Sequence, residues 1–323
     1  MNVPRVPELD DELVVRHRRA HLELREAHDA AGPEVRRLFL LLQRRLLIES
    51  LAYVQPVTAS PTEQQLFPPP RAFLTRTQEL RMFGADAVYR HLDSRIAMRD
   101  MGAVERVLDR STPVVFHALL EGLTPSGRET NPGMLRATPT AWKPEANSYM
   151  HPPATMCSDL VDEALDVASG SSVPSCVRGA WLTFTMLSIH PFVDGNGRTS
   201  RALYLAVVAD DVPLGLDFGV LEQWSITRSA YVAALQQGQR VERYDGERMD
   251  ARPFVEYATI TSTVGAELCA ARIARLGQEH ASRCASGSSP AQSLVLGAAS
   301  VERVLVPDQL AALGGSEVVD AAD

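Results

Sequence analysis

The apolar and polar positions of this chain recur mostly at three- and four-residue steps, the spacing of one helix face. Leu13, Val14, His17, His21, Leu24 and His28 trace such a face over residues 11–29, with Asp10 or Asp11 placed to cap it. Pro33 suits the first turn of a second helix running to about Val54. Helices are further expected over 75–98, 102–109, 154–168, 174–189, 198–210, 227–237 and 252–277, and Ser111-Thr112-Pro113 opens another. In that one, Val114, Phe116, His117 and Leu120 fall close to one face. Gln55–Pro70 reads as a loop rich in proline and polar residues. The stretch 124–142 reads as a loop that ends in a short strand, and EANSYMHPP as an irregular segment able to hold a small hairpin. No internal repeat is visible, and the expected architecture is mainly α.

These elements suggest a division into an N-terminal helical region (1–110), a helical core (111–284) and a disordered or loosely attached tail (285–323). Composition narrows the class rather than the function. Hydrophobic residues make up 45% and charged residues 22%, the balance of a globular protein. The net charge of −8 argues against a general binder of nucleic acid or of anionic membranes. Arg36-Arg37, Gln43 and Arg44-Arg45 interrupt the most apolar helix, so no membrane span is expected. The acidic start lacks the features of a secretory signal, and Cys157, Cys176, Cys269 and Cys284 are scattered. Reduced thiols in a cytoplasmic protein are the expectation. His17 and His21 have the spacing of a helical metal site, yet no acid or cysteine motif completes it. A solvated or partner-facing helix is the expected reading there.

The chemistry concentrates in SIHPFVDGNGRTSRALYLAVV. An apolar helix, Trp181 to Ile189, runs into His190-Pro191; the turn Gly195-Asn196-Gly197 follows, and a second helix opens at once. Glycines there let successive backbone N–H groups face one concavity, and the helix N-terminus adds positive dipole. Arg198 and Arg201 lie three apart and add phosphate-gripping charge. Asp194, beside an anion nest, is explained by a divalent cation bridging carboxylate and phosphates. His190 supplies a side chain able to accept a proton near neutrality. Taken singly, the parts are a turn, a capping histidine, a core phenylalanine at Phe192 and surface arginines. Within twelve residues they describe phosphoryl or nucleotidyl transfer to a hydroxyl.

HPFVDGNGRTSR satisfies every position of HPFx(D/E)GNGRxxR, and in this the sequence resembles the Fic (Fido) family. VVFHALLEGL, NPGMLR, YMHPPATM and RSAYVAALQQG resemble further family segments, so the likeness spans roughly 111–270. It implies a Fic-type helical core with a small β-hairpin flap. It also implies a protein adenylyltransferase that moves AMP from ATP to a Tyr, Ser or Thr hydroxyl and releases pyrophosphate. Carried over by residue, His190 is the general base and Asp194 holds Mg²⁺ against the α- and β-phosphates. Gly195, Asn196 and Gly197 form the anion hole beside Phe192, Arg198 and Arg201 hold the β- and γ-phosphates, and Tyr231 is the candidate for the nucleoside pocket. Glu145 to Met150 is the expected flap, where a target segment adds as a strand.

Many family members carry an inhibitory (S/T)xxxE(G/N) helix. Thr263 with Glu267 and Thr75 with Glu79 keep its first and glutamate positions but lack the last, which makes Glu267 and Glu79 the candidate inhibitory glutamates. Control by a separate antitoxin chain is the alternative. Two other functions stay open: a Fic-like enzyme with a different reaction, either transferring another nucleotidyl or phosphate group or removing AMP, and a non-catalytic helical interaction module.

Overall fold

A computed structural model describes residues 2–52, 75–125, 131–140, 149–170, 173–212, 219–290 and 292–293. Within these it holds α1 (Asp11–Ala30), α2 (Pro33–Leu51), α3 (Arg76–Asp100), α4 (Thr112–Glu121), a 3₁₀ turn (Ala154–Met156), α5 (Cys157–Ala168), α6 (Ser175–Ile189), α7 (Asn196–Val208), α8 (Gly219–Ile226), α9 (Arg228–Gly238) and α10 (Arg252–Ala285). None of these helices is long and apolar enough to cross a membrane.

The local starts follow from side chains. Asp10 caps α1 by accepting the Glu12 N–H at 2.8 Å, and Pro33 sits in the first turn of α2. Thr75 and Gln78 close a capping box at the start of α3. The expected helix over 102–109 does not form. Gly102 leaves α3 at φ +73°, and Arg95 takes the carbonyls of Arg106 and Val107 that a helical ladder would have used. Asp109 then accepts the N–H groups of Ser111 and Thr112, an Asx cap that launches α4. Two further differences concern α8, where no helix was expected, and α10, which runs on to Ala285.

α6 is the axis of the molecule, with every residue from Ser175 to Ile189 buried. α7 packs along it and is almost as deeply covered, while α5 covers another side of α6. α4 lies on α7, and α3 lies on α4. α10 spans α1, α2, α6, α8 and α9. Where α8 meets α10 the backbones touch: a Cβ on Gly265 would lie 2.6 Å from the carbonyl carbon of Gly219.

The first hundred residues share these cores. Leu47, Ile48 and Leu51 of α2 join the main cluster with Trp181 and Phe192, and Leu24, Leu38 and Phe39 form a smaller one with Cys269, Ile273 and Leu276 of α10. Before α1, Pro4 accepts the indole N–H of Trp181 at 3.1 Å. His17 and His21 are half-buried, on the side of α1 that faces α10. Both reach the Ser262 hydroxyl, at 3.1 and 3.0 Å, and burial with the nearby Arg25 lowers the His21 pKa to about 4.

The loop expected at 55–70 lies outside the described residues, as do Glu145–Ser148 of the expected flap and the tail beyond 293. Residues 131–140 hold no strand. Met150 forms an isolated parallel bridge to Arg243, in the turn after α9. The small hairpin is therefore not part of the described structure. At the end of α10, Ser293 is buried and bonds His280 at 2.9 Å, so the first part of the expected tail packs back onto the helix.

Candidate active site

The motif occupies the connection between α6 and α7. His190 ends α6 in the left-handed region (φ 54°, ψ 59°), a conformation costly for a residue with a Cβ. Its N–H still bonds the Met186 carbonyl at 2.9 Å, and Pro191 prevents the helix from continuing. What holds this cap is Arg136, buried at 3% exposure. Its Nε donates to the His190 carbonyl at 2.8 Å, and its Nη2 donates to the carbonyls of Pro152 and Ile189. The Arg136 N–H also donates to the Pro191 carbonyl. One guanidinium thus staples the turn to the segment before α5. Sequence reasoning gave Arg136 no role, although NPGMLR drew notice as a segment.

Asn196 closes the loop by itself. Its Oδ1 accepts the Phe192 N–H and its Nδ2 donates to the Phe192 carbonyl, both at 2.9 Å. Phe192 is fully buried and lies flat on the His117 ring, with centroids 4.0 Å apart and planes at 5°. His117 accepts the Gly133 N–H at Nδ1, so its Nε2 carries the proton and donates to the Asp194 carbonyl at 3.0 Å. The core-anchor reading of Phe192 fits this placement. The Asn196 side chain is committed to the loop, which leaves its backbone N–H for any ligand.

Gly195 stands at φ +77° and has no side chain to cap α7. A Cβ there would meet the Glu121 carboxylate at 2.5 Å, so glycine is required twice over. The first turn of α7 has no side-chain cap, and its N–H groups are the donors an anion would use. Arg198 rises from this turn and Arg201 from the next, and both are nearly buried, at 7 and 2% exposure. Arg201 Nη2 donates to the Leu51 carbonyl at the end of α2, 3.3 Å away. Arg198 Nη2 pairs with Glu121 Oε1 at 2.7 Å and lies 3.8 Å from Asp194 Oδ2.

Glu121 is the acid that sequence reasoning missed. It is 1% exposed at the end of α4, beneath the loop. Burial pushes its pKa up, Arg198 pulls it down, and Asp194 pushes it further up. Of the two candidate inhibitory glutamates, Glu267 pairs with Arg16 at 3.6 Å and Glu79 with Arg76 at 3.1 Å, both at the surface.

Asp194 is 61% exposed, with Oδ1 accepting the Gly195 N–H at 2.7 Å. Among the described residues no three His, Cys, Asp or Glu side chains cluster as a metal cage. Magnesium needs none, because it binds commonly through one or two carboxylates and the phosphates of its nucleotide. An exposed carboxylate beside uncapped N–H groups fits that arrangement.

The half-buried His190 ring stacks on His151, with centroids 4.3 Å apart and planes at 21°. Its pKa is lowered to about 3, first by burial and then by His151, against a backbone hydrogen bond at Leu187 and the charge of Asp194. Tyr231 is 5% exposed and packs among Trp224, Phe254 and Tyr257. The structure thus gathers His190, Phe192, Asp194, Gly195, Asn196, Gly197 and Arg198 around one turn, with Arg201 one turn further into α7. Tyr231 sits in the aromatic core.

Comparison with known proteins agrees with this geometry. Residues 107–208 match the model of the Fic/DOC family. A probable protein adenylyltransferase of Aquifex aeolicus (strain VF5) is 25% identical over 117 residues, which are 36% of this chain and 34% of that protein. The match thus spans about a third of the relative's length (34%). Among solved structures, a Fic family protein from Desulfovibrio desulfuricans G20 gives a TM-score of 0.59 at 18% identity, covering 91% of this chain and 86% of that one. A Fic-1 fragment from C. elegans gives 0.54 at 20% identity, covering 85% and 74%. These structural likenesses speak for the fold. The family match and the complete motif on its helix–loop–helix identify residues 107–208 as a Fic/DOC family domain within a chain of Fic-like fold.

Proposed function

We propose that the protein transfers AMP from Mg-ATP to a hydroxyl of a target protein. The observation that carries this reading is one turn of chain. An uncapped helix start, two nearly buried arginines and an imidazole held at the rim lie within His190 to Arg201. The name of the Aquifex relative points the same way.

In this reading the target hydroxyl gives its proton to the His190 ring as its oxygen attacks the α-phosphorus. The bond from that phosphorus to the bridging oxygen breaks, and pyrophosphate leaves. The N–H groups of Asn196 and Gly197, with Arg198 and Arg201, hold the phosphate oxygens, and charge stabilisation supplies most of the catalysis. Asp194 would hold a magnesium ion, which would offset the negative charge of the phosphates. The low pKa of His190 leaves the ring unprotonated across the physiological range. Bound phosphates then place negative charge near it and make it a better proton acceptor when substrate is present. The target would approach the segment around Tyr149 and Met150, where the expected flap meets the turn after α9.

The test compares ATP labelled at the α- or the γ-phosphate. Label from the α-position should appear on protein, label from the γ-position should not, and His190→Ala should abolish the signal. Label from the γ-position on protein, or an unchanged signal in His190→Ala, overturns the reading.

A further inference from the structure

We infer that His151 is a positioning residue for His190, its ring being the wall that holds the base in one orientation at the rim of the loop. This rests on the role of His190 proposed above, and it concerns a residue outside the HPFVDGNGRTSR motif.

His151 is itself held from several sides. Its Nδ1 lies 3.1 Å from the Ser188 carbonyl, which can only accept, so Nδ1 carries the proton. The same carbonyl accepts the Tyr149 hydroxyl at 3.0 Å, and the Ser188 hydroxyl accepts from Gln239 at 2.9 Å. Tyr149 also packs edge-on against the His151 ring, with centroids 5.0 Å apart. Ser188, in the last turn of α6, is therefore a hub that ties residues 149–151 and α9 to the backbone just before His190. Arg136 ties the other side of the same corner by bonding the carbonyls of both Pro152 and His190. The wall is thus held at Ser188, two residues before the base, and both are fixed to one framework.

His190 is left-handed, so its side chain projects from a cap rather than from a helix face, and neighbours must set its rotamer. The ring of His151 covers one of its faces at stacking distance. The charged and titratable groups that face His190 are His151, Arg136 and Asp194, while His151 itself faces Arg136. Two stacked imidazoles beside a guanidinium disfavour a second positive charge, so the stack helps to keep both rings neutral. Burial lowers the His151 pKa to about 4 in the same direction. The wall therefore fixes the direction of the base and excludes water from one side of it.

His151→Phe keeps a flat ring, whereas His151→Ala removes the wall. In the full-length protein, histidine NMR with His190→Gln as the assignment control should show His190 unprotonated across the folded pH range in the parent and in His151→Phe. In His151→Ala its midpoint should rise into that range. In the transfer assay His151→Ala should lose roughly tenfold or more in kcat with the KM for nucleotide unchanged, and its acid limb should move to higher pH. His151→Phe should recover kcat at neutral pH. The inference fails if His151→Ala leaves both the titration and kcat at parental values, or if His151→Phe is as impaired as His151→Ala. A parent that transfers nothing refutes the proposed function, while the titrations still decide whether His151 walls His190.

Discussion

Among single residues, Glu121 sets the electrostatic state of the site before any nucleotide arrives. Its carboxylate is 1% exposed and Arg198 is 7% exposed, so the two charges compensate each other in a place with little water. Removing one member of such a pair leaves the other uncompensated, at a cost of about 3 kcal/mol or more. Glu121→Gln keeps the volume and removes the charge. The nucleotide-free variant should therefore melt lower than the parent by roughly 5 °C or more. Mg-ATP should then stabilise it more than it stabilises the parent, since phosphate oxygens would restore the missing negative charge beside Arg198. Differential scanning fluorimetry with and without Mg-ATP reads both numbers. Equal melting temperatures for the two proteins without nucleotide would show that the pair is not the buried partnership described above.

At the scale of elements, two helices of the core approach unusually closely. α8 and α10 touch through Gly219 and Gly265, and a Cβ at Gly265 would meet main chain at 2.6 Å, with no flexible side chain to give way. Gly265→Ala should destabilise the protein by about 1–3 kcal/mol, the usual cost of overpacking, and a urea unfolding series measures it. A midpoint unchanged from the parent would contradict the contact. This approach also shows where the sequence was readable. The repeating apolar steps of α1 announced that helix, as did the cap at Asp10, and the proline at Pro33 announced the opening of α2. α8 escaped because GVLEQWSI is short and buried nearly all round, which leaves no polar face to reveal a period. Residues 102–109 misled because Arg95, from a neighbouring helix, takes their carbonyls, and no local pattern records that. The motif itself was legible because its residues are consecutive. Glu121, Arg136 and His151 were not, because each joins the site from a separate segment and is an ordinary residue type in its own stretch.

For the whole molecule, the motif loop is a small part of a large shared core. α6 and α7 are buried almost throughout, and α2, α3 and α4 close in from the side of Arg198 and Arg201. The end of α2 reaches the site directly through the Leu51 carbonyl on Arg201, so the N-terminal helices bear on how that arginine is presented. In the function proposed above, this framework holds a triphosphate at the start of α7 with its α-phosphorus beside His190. A crystal structure grown with magnesium and an ATP analogue that cannot be cleaved between the α- and β-phosphates tests it most directly. The account predicts phosphate oxygens within hydrogen-bond distance of the Asn196 and Gly197 N–H groups, Arg198 turned toward them, and the His190 ring facing the α-phosphate. A nucleotide bound elsewhere, or a loop that stays empty at saturating analogue, would contradict it.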